Sequence, residues 1–144
     1  MTFSEFNFSK TIKKSIENNA YEKPTLIQEK AIPLILDLKD VIAKAQTGSG
    51  KTATFVLPIL EYFIKSNFNG KSKARVLVLT PTRELAIQVS STFSLLSLNF
   101  PKKLNIRTLI GGEDISTQLI DIQKGSDVIV ATPGRLLDIY SKKQ

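Results

Sequence analysis

Cysteine and histidine are both absent from the 144 residues. Without cysteine there is no disulfide framework and no thiolate metal site, and a reducing compartment is permitted. Without histidine the commonest zinc ligand is gone, together with any Ser-His or Cys-His nucleophile pair. Long hydrophobic runs are missing as well. The longest uncharged apolar stretch, Thr52 to Leu60, contains Pro58 and falls well short of the ~18 residues of a membrane span. The opening Met1-Thr2-Phe3-Ser4-Glu5 has no basic start and no apolar segment of the kind a signal peptide needs. We therefore expect a cytoplasmic protein with no membrane partner.

What remains is globular in character, with 42% hydrophobic and 23% charged residues. The length suits one structural domain with a buried core. Net charge is +7, a surplus that favours polyanions. The cations fall in groups, Lys65, Lys71, Lys73 and Arg75, then Lys102, Lys103 and Arg107, then Lys142-Lys143. Each group alone reads as a solvated face, so the surplus counts only where independent contacts agree with it.

The stretch Ala45-Gln46-Thr47-Gly48-Ser49-Gly50-Lys51-Thr52 follows the short apolar run Val41-Ile42-Ala43 and opens a helical pattern over 51–64. A strand, a glycine-bearing turn and a helix N-terminus in that order make an anion site. Free backbone N–H groups point outward there and the helix dipole adds partial positive charge. Gly48 and Gly50 let the backbone curl around phosphate oxygens. Lys51 reaches toward β- and γ-phosphates in this arrangement, and the Thr52 hydroxyl is placed for Mg²⁺. The bland alternative is a glycine-rich turn with a solvated lysine.

The rest of the chain predicts alternating elements. Ser9 precedes a short helix carrying Ile12 and Ile16, and Thr25 with Gln28 has capping-box spacing before a helix to about Leu36, with Pro33 suggesting a kink. After Val41–Ala43 and the helix at 51–64, a loop spans 67–73. Strands follow at 75–79, 104–109 and 127–131. Helices are expected near 84–98, through Ile115, Leu119 and Ile122 up to Gly125, and after Arg135. Four βα units imply a doubly wound parallel sheet with helices on both faces.

Thr80-Pro81-Thr82-Arg83 and Thr132-Pro133-Gly134-Arg135 echo one another, each between an apolar strand and a helix. Thr as a cap and Pro as first helical residue would explain the Thr-Pro pair, with Thr80 and Thr132 in the capping role. Capping does not explain the arginine two residues later. Ligands in open α/β sheets bind beyond the carboxyl ends of the strands. The phosphate loop, both turns and Gly111-Gly112 are expected there, and such groups suit a phosphodiester backbone read without regard to base sequence.

With these motifs in order, the chain resembles the DEAD-box RNA helicases of superfamily 2. Tyr21-Glu22-Lys23-Pro24-Thr25-Leu26-Ile27-Gln28 is similar to that family's Q motif, with Phe3 at the spacing of its upstream aromatic and Ala20 where glycine is usual. Ala45 to Thr52 is similar to motif I, 81–85 to motif Ia, Gly111-Gly112 to the GG motif and 132–135 to motif Ib. The resemblance implies a RecA-like fold, with residues 1–40 as the Q-motif region and 41–144 as part of the first RecA-like domain. It implies ATP and Mg²⁺ as cofactors, held by Phe3, Tyr21, Lys23, Pro24, Gln28, Gln46, Thr47, Gly48, Ser49, Gly50, Lys51 and Thr52. In that scheme Lys51 and Thr52 serve catalysis, Tyr21 stacks on adenine and Gln28 bonds its edge. RNA is implied as partner through Pro81, Thr82, Arg83, Gly111, Gly112, Thr132, Pro133, Gly134 and Arg135. A second RecA-like domain of the same chain is implied as the other partner.

One departure stands out. Asp-Glu-Ala-Asp, the family's motif II, does not occur, and nine residues follow Arg135. The chain thus reads as a RecA-like piece truncated before motif II, binding nucleotide without hydrolysing it. Two other readings stay open: another P-loop NTPase such as a DNA helicase or nucleotide kinase, and a non-catalytic nucleotide- and RNA-binding module.

Overall fold

A computed structural model describes residues 1–66 and 73–142. The expected loop at 67–73 lies outside the described residues except for Lys73, and so does Lys143. The chain divides into two compact units: Met1–Asn67 with Leu95–Pro101, and Phe68–Ser94 with Lys102–Gln144. Among the described residues no helix is long and apolar enough to cross a membrane.

The first unit is helical. A 3-10 turn at Phe3–Glu5 leads into α1 (Lys10–Asn18), α2 (Leu26–Leu36) and α3 (Lys51–Lys65). Ser9 caps α1 and Thr25 caps α2 in the expected capping box, each satisfying N–H groups that a helix start leaves open. Glu61 of α3, 1% exposed, accepts from the Ser9 N–H at 3.0 and 3.1 Å and from its hydroxyl at 2.9 Å. A carboxylate at the start of α1 also complements the helix dipole. Ile12, Ile32, Val56, Leu57, Leu60 and Phe63 are wholly buried, and burial of such side chains stabilises by ~1.5–3 kcal/mol each.

The second unit is α/β. Strands β1 (Val76–Leu79), β2 (Ile106–Leu109) and β3 (Val128–Ala131) alternate with α4 (Arg83–Leu96), α5 (Ile115–Gln123) and α6 (Pro133–Lys142). All pairing is parallel and the order is β1-β3-β2. One sheet face carries Leu109, Ile129 and Ala131 against Ile115, Leu119 and Ile122 of α5 and Leu136 and Ile139 of α6. On the other face, Thr108 shares a 2.6 Å hydrogen bond with Ser90 of α4, so helices cover both faces as expected. Leu77 and Leu79, in register with Ile129 and Ala131, stay 53% exposed on edge strand β1.

One expected element is corrected. Val41-Ile42-Ala43 forms no strand, and Ile42 is fully exposed. An isolated extended run gains no ladder hydrogen bonds, and no described strand pairs with this one. The described residues therefore hold three strands in βα succession rather than four.

Candidate functional site

In the first unit, the chain from Gln46 to Gly50 turns back on itself ahead of α3. Gly48 and Gly50 have φ of +81° and +82°, the left-handed region that glycine enters without a Cβ penalty. A Cβ on Gly50 would also lie 2.5 Å from Gln28 Nε2, so a side chain there would be strained in its backbone and would displace the Gln28 amide. No described side chain caps the N-terminus of α3, which leaves its first N–H groups available to an anion. Lys51 is exposed, and its Nζ donates to the Ala45 carbonyl at 2.6 Å. The ammonium thus already sits over the loop. Thr52, one residue on, is half-buried.

The segment from Tyr21 to Gln28 meets this loop through Gln28. Its Oε1 accepts from the Thr25 N–H at 2.9 Å, and its Nε2 donates to the Gly50 carbonyl at 3.2 Å. The side chain is 3% exposed. It caps α2 and holds the glycine-bearing loop at once, and an amide has one further N–H and one lone pair beyond these two bonds. Thr54, which the motif pattern did not flag, donates its hydroxyl to the same Gly50 carbonyl at 2.8 Å. Lys23 is exposed and Pro24 buried.

Tyr21 and Phe3 come together with ring centroids 6.1 Å apart, tilted by 44°. Phe3 is buried and Tyr21 half-exposed, so Tyr21 presents the free ring. Its position follows from the end of α1. Ala20 has φ +55°, and the N–H groups of Ala20 and Tyr21 close on the Glu17 and Ile16 carbonyls at 3.1 and 3.2 Å. This is a left-handed helix cap, which explains why glycine suits the position better than alanine.

The second unit gathers the remaining expected residues at the carboxyl edge of its sheet. Thr80–Arg83 follows β1, Gly111-Gly112 follows β2 and Thr132–Arg135 follows β3, and parallel strands put all three on one edge. Gly112 has φ +83°, and a Cβ there would lie 2.8 Å from Nη1 of Arg83. The Arg83 guanidinium therefore lies directly over this glycine, and the residue is exposed. Pro81, Thr82, Pro133 and Gly134 are exposed, and Gly111 and Thr132 half-exposed.

The two Thr-Pro turns differ from their expected likeness. Thr80 does not cap α4. Thr82 does, with its hydroxyl accepting from the Leu85 N–H at 3.2 Å, while the Thr80 hydroxyl donates to the Thr82 carbonyl at 3.0 Å. At the second turn α6 starts on Pro133, and the Thr132 carbonyl accepts from the Leu136 N–H at 3.1 Å. Arg135 is engaged inward: Nη1 donates to the Glu113 carbonyl at 3.0 Å and to Gln118 Oε1 at 3.1 Å. Its Nε lies 3.9 Å from Asp138, and the side chain is 13% exposed. Gln118 escaped the motif reading. Its one sequence signal is an amide on the Ile115–Leu119–Ile122 stripe, where an apolar residue is the norm.

A family model described as DEAD/DEAH box helicase matches residues 25–144. The chain is 43% identical to the ATP-dependent RNA helicase CshA of Listeria monocytogenes serovar 1/2a, over 98% of this chain and 26% of that protein. It is 46% identical to the ATP-dependent RNA helicase DeaD of Buchnera aphidicola subsp. Baizongia pistaciae, over 99% of this chain and 23% of that one. Among solved structures, a DEAD box protein from the hyperthermophile Methanococcus jannaschii matches with a TM-score of 0.88 at 41% identity, over 99% of this chain and 38% of that chain. The RNA helicase Prp28 from Chaetomium thermophilum bound to ADP matches with a TM-score of 0.87 at 34% identity, over 99% and 34%. The chain thus spans about a quarter of the length of these curated relatives.

Proposed function

Because the chain belongs to the DEAD/DEAH box helicase family, we propose that it supplies the ATP- and RNA-binding part of an ATP-dependent RNA helicase acting in the cytoplasm. Residues 1–40 serve as the Q-motif region and 41–144 as part of the first RecA-like domain, within one structural domain. The observation that carries this reading is the link from Gln28 to the Gly50 carbonyl. It joins a base-reading amide to a loop built for phosphate.

ATP fits the residues present. The uncapped start of α3 and the left-handed Gly48 and Gly50 suit phosphate oxygens. Gln46, Thr47 and Ser49 complete that loop, and Lys51 turns from the Ala45 carbonyl to the β- and γ-phosphates. Gln28 offers adenine its remaining N–H and lone pair, while Tyr21 stacks on the ring over Phe3, with Lys23 and Pro24 beside it. Thr52 gives Mg²⁺ one hydroxyl. When bound, Mg²⁺ neutralises phosphate charge.

RNA lies against the second unit without base readout. Arg83 pairs with a phosphate, the N-termini of α4 and α6 and the backbone of Gly111 and Gly112 add further donors, and Pro81, Thr82, Thr132, Pro133 and Gly134 shape the surface. Arg135 adds positive charge while bracing the loop. In the longer protein a second RecA-like domain closes over both ligands, and positioning plus charge stabilisation drive phosphoryl transfer. Residues 1–144 alone bind nucleotide without hydrolysing it, because the sequence holds no Asp-Glu-Ala-Asp to orient the attacking water.

The test is Gln28→Ala in the full-length protein, read by competition of ATP and GTP against a labelled adenine nucleotide. Loss of the two-point contact is expected to weaken ATP by ~1–3 kcal/mol and to reduce its discrimination against GTP. An unchanged ATP preference with lowered stability would reduce Gln28 to a helix cap. Phosphate release by residues 1–144 above that of a Lys51→Ala control would overturn the reading of this piece as non-hydrolysing.

A further inference from the structure

We propose that Gln118 is a positioning residue for the RNA surface, holding the Gly111-Gly112 loop in its binding shape through Arg135. The proposal rests on the reading of that surface given above. Two adjacent glycines have no side chains with which to anchor themselves and the widest backbone freedom to lose. Something outside the pair has to fix them, and the hydrogen bonds show what does.

The residue before the pair is held by Gln118, whose Nε2 donates to the Ile110 carbonyl at 3.0 Å. The residue after it is held by Arg135, whose Nη1 donates to the Glu113 carbonyl at 3.0 Å. The two clamps are joined, since the same Nη1 also donates to Gln118 Oε1 at 3.1 Å. Nε2 of Gln118 lies a further 3.4 Å from the Glu113 carboxylate. The ring of contacts runs from the end of β2 through α5 to the start of α6 and back to the loop.

Only a side chain with a donor and an acceptor on one planar head, at this length, closes that ring. Glutamate lacks the donor and asparagine lacks the reach. Gln118 is 5% exposed, so it acts on RNA through the loop rather than by contact. The loop it fixes carries Gly112, against which the Arg83 guanidinium lies. The clamp therefore sets a backbone segment and a phosphate-seeking arginine together, and a surface ordered beforehand loses less freedom on binding.

The experiment measures binding of single-stranded oligouridine to the full-length protein with a non-hydrolysable ATP analogue, across a salt series. Nucleotide affinity without RNA is measured alongside. For Gln118→Ala the RNA Kd is expected to rise about tenfold. The slope of log affinity against log salt is expected to shrink by ~0.7, one phosphate contact. Nucleotide affinity stays at the wild-type value. Combined with Arg135→Ala, the loss is expected to be no larger than that of the worse single variant. If Gln118→Ala does not fold, Gln118→Met keeps the volume without the bonds and is read instead. Wild-type RNA affinity and slope in a variant that is merely less thermostable would overturn the proposal. Arg83→Ala separates the two failures. If it too leaves RNA binding unchanged, the surface itself is misread; if it weakens binding while the Gln118 variants do not, only the positioning role falls.

Discussion

After β1 the chain reads Thr80-Pro81-Thr82-Arg83, and after β3 it reads Thr132-Pro133-Gly134-Arg135, yet α4 begins at Arg83 and α6 at Pro133. The difference traces to the third residue. Thr82 has a hydroxyl that accepts from the Leu85 N–H and so takes the cap, pushing Pro81 outside the helix. Gly134 has none, and the helix starts earlier, with the proline as its first residue. Arginine becomes the first helical residue in one case and the third in the other. At 3.6 residues per turn, two positions rotate the side chain by about 200°. Arg83 is left exposed over Gly112, and Arg135 is turned in toward Glu113 and Gln118. One four-residue pattern thus makes a surface cation at one turn and an internal brace at the other.

The largest expected effect tests that division. Arg135→Ala strands the Glu113 carbonyl and Gln118 Oε1, so it should cost ~1–3 kcal/mol of stability. Arg83→Ala, at an exposed residue, should stay within ~0.5 kcal/mol. Urea denaturation of the two variants decides the matter, and equal losses would erase the distinction. Next comes the loop between them. Gly112→Ala forces an L-residue to φ +83° and displaces the Arg83 guanidinium, an expected cost of ~1–2 kcal/mol. At Gly111 a Cβ meets nothing within 4 Å and φ is not positive, so Gly111→Ala should be close to neutral. RNA affinity should follow the same order.

The caps give a smaller contrast. Thr82→Ala removes a side-chain cap and should lower stability by ~1 kcal/mol. Thr132→Ala should lower it by less, since the helix start there rests on the Thr132 backbone carbonyl. Thermal melts of the pair are the measurement, and a larger loss at Thr132 would show that the two caps had been confused. The smallest effect is a pH control on all of these comparisons. The Thr2 backbone N–H donates to the Glu5 carboxylate and holds its pKa below the ordinary 4.5. A depressed carboxyl contributes stability above its unfolded pKa and loses it as pH falls through the folded value. Glu5→Gln should therefore flatten the stability profile only below about pH 4.5 and leave neutral-pH differences between the turns untouched.

Much of this was legible in the chain. Ser9 and the Thr25/Gln28 capping box mark helix starts that the structure keeps, because a cap is a contact between residues two or three apart. The strands rich in valine, isoleucine and leucine, and the glycines at 48, 50 and 112, follow from side-chain and backbone preferences of the residues themselves. Two expectations failed for opposite reasons. Val41-Ile42-Ala43 has strand composition but no described strand to pair with, and pairing is not a local property. Thr80 lost the cap to Thr82, a competition between two good candidates decided by one hydrogen bond, from the Leu85 N–H to the Thr82 hydroxyl.

By itself, then, the sequence determined where a glycine-bearing loop ahead of a helix and two arginine turns lie along the chain, since each depends on residue type at fixed short spacing. Only the tertiary structure decided that Gln28 joins its helix cap to a carbonyl 22 residues away. It alone turned Arg135 inward and made Gln118, a polar residue on an apolar stripe, the partner that closes the glycine loop. A buried amide acquires such a role from whichever donors and acceptors the folded chain brings within about 3 Å of it, and linear spacing does not encode those distances.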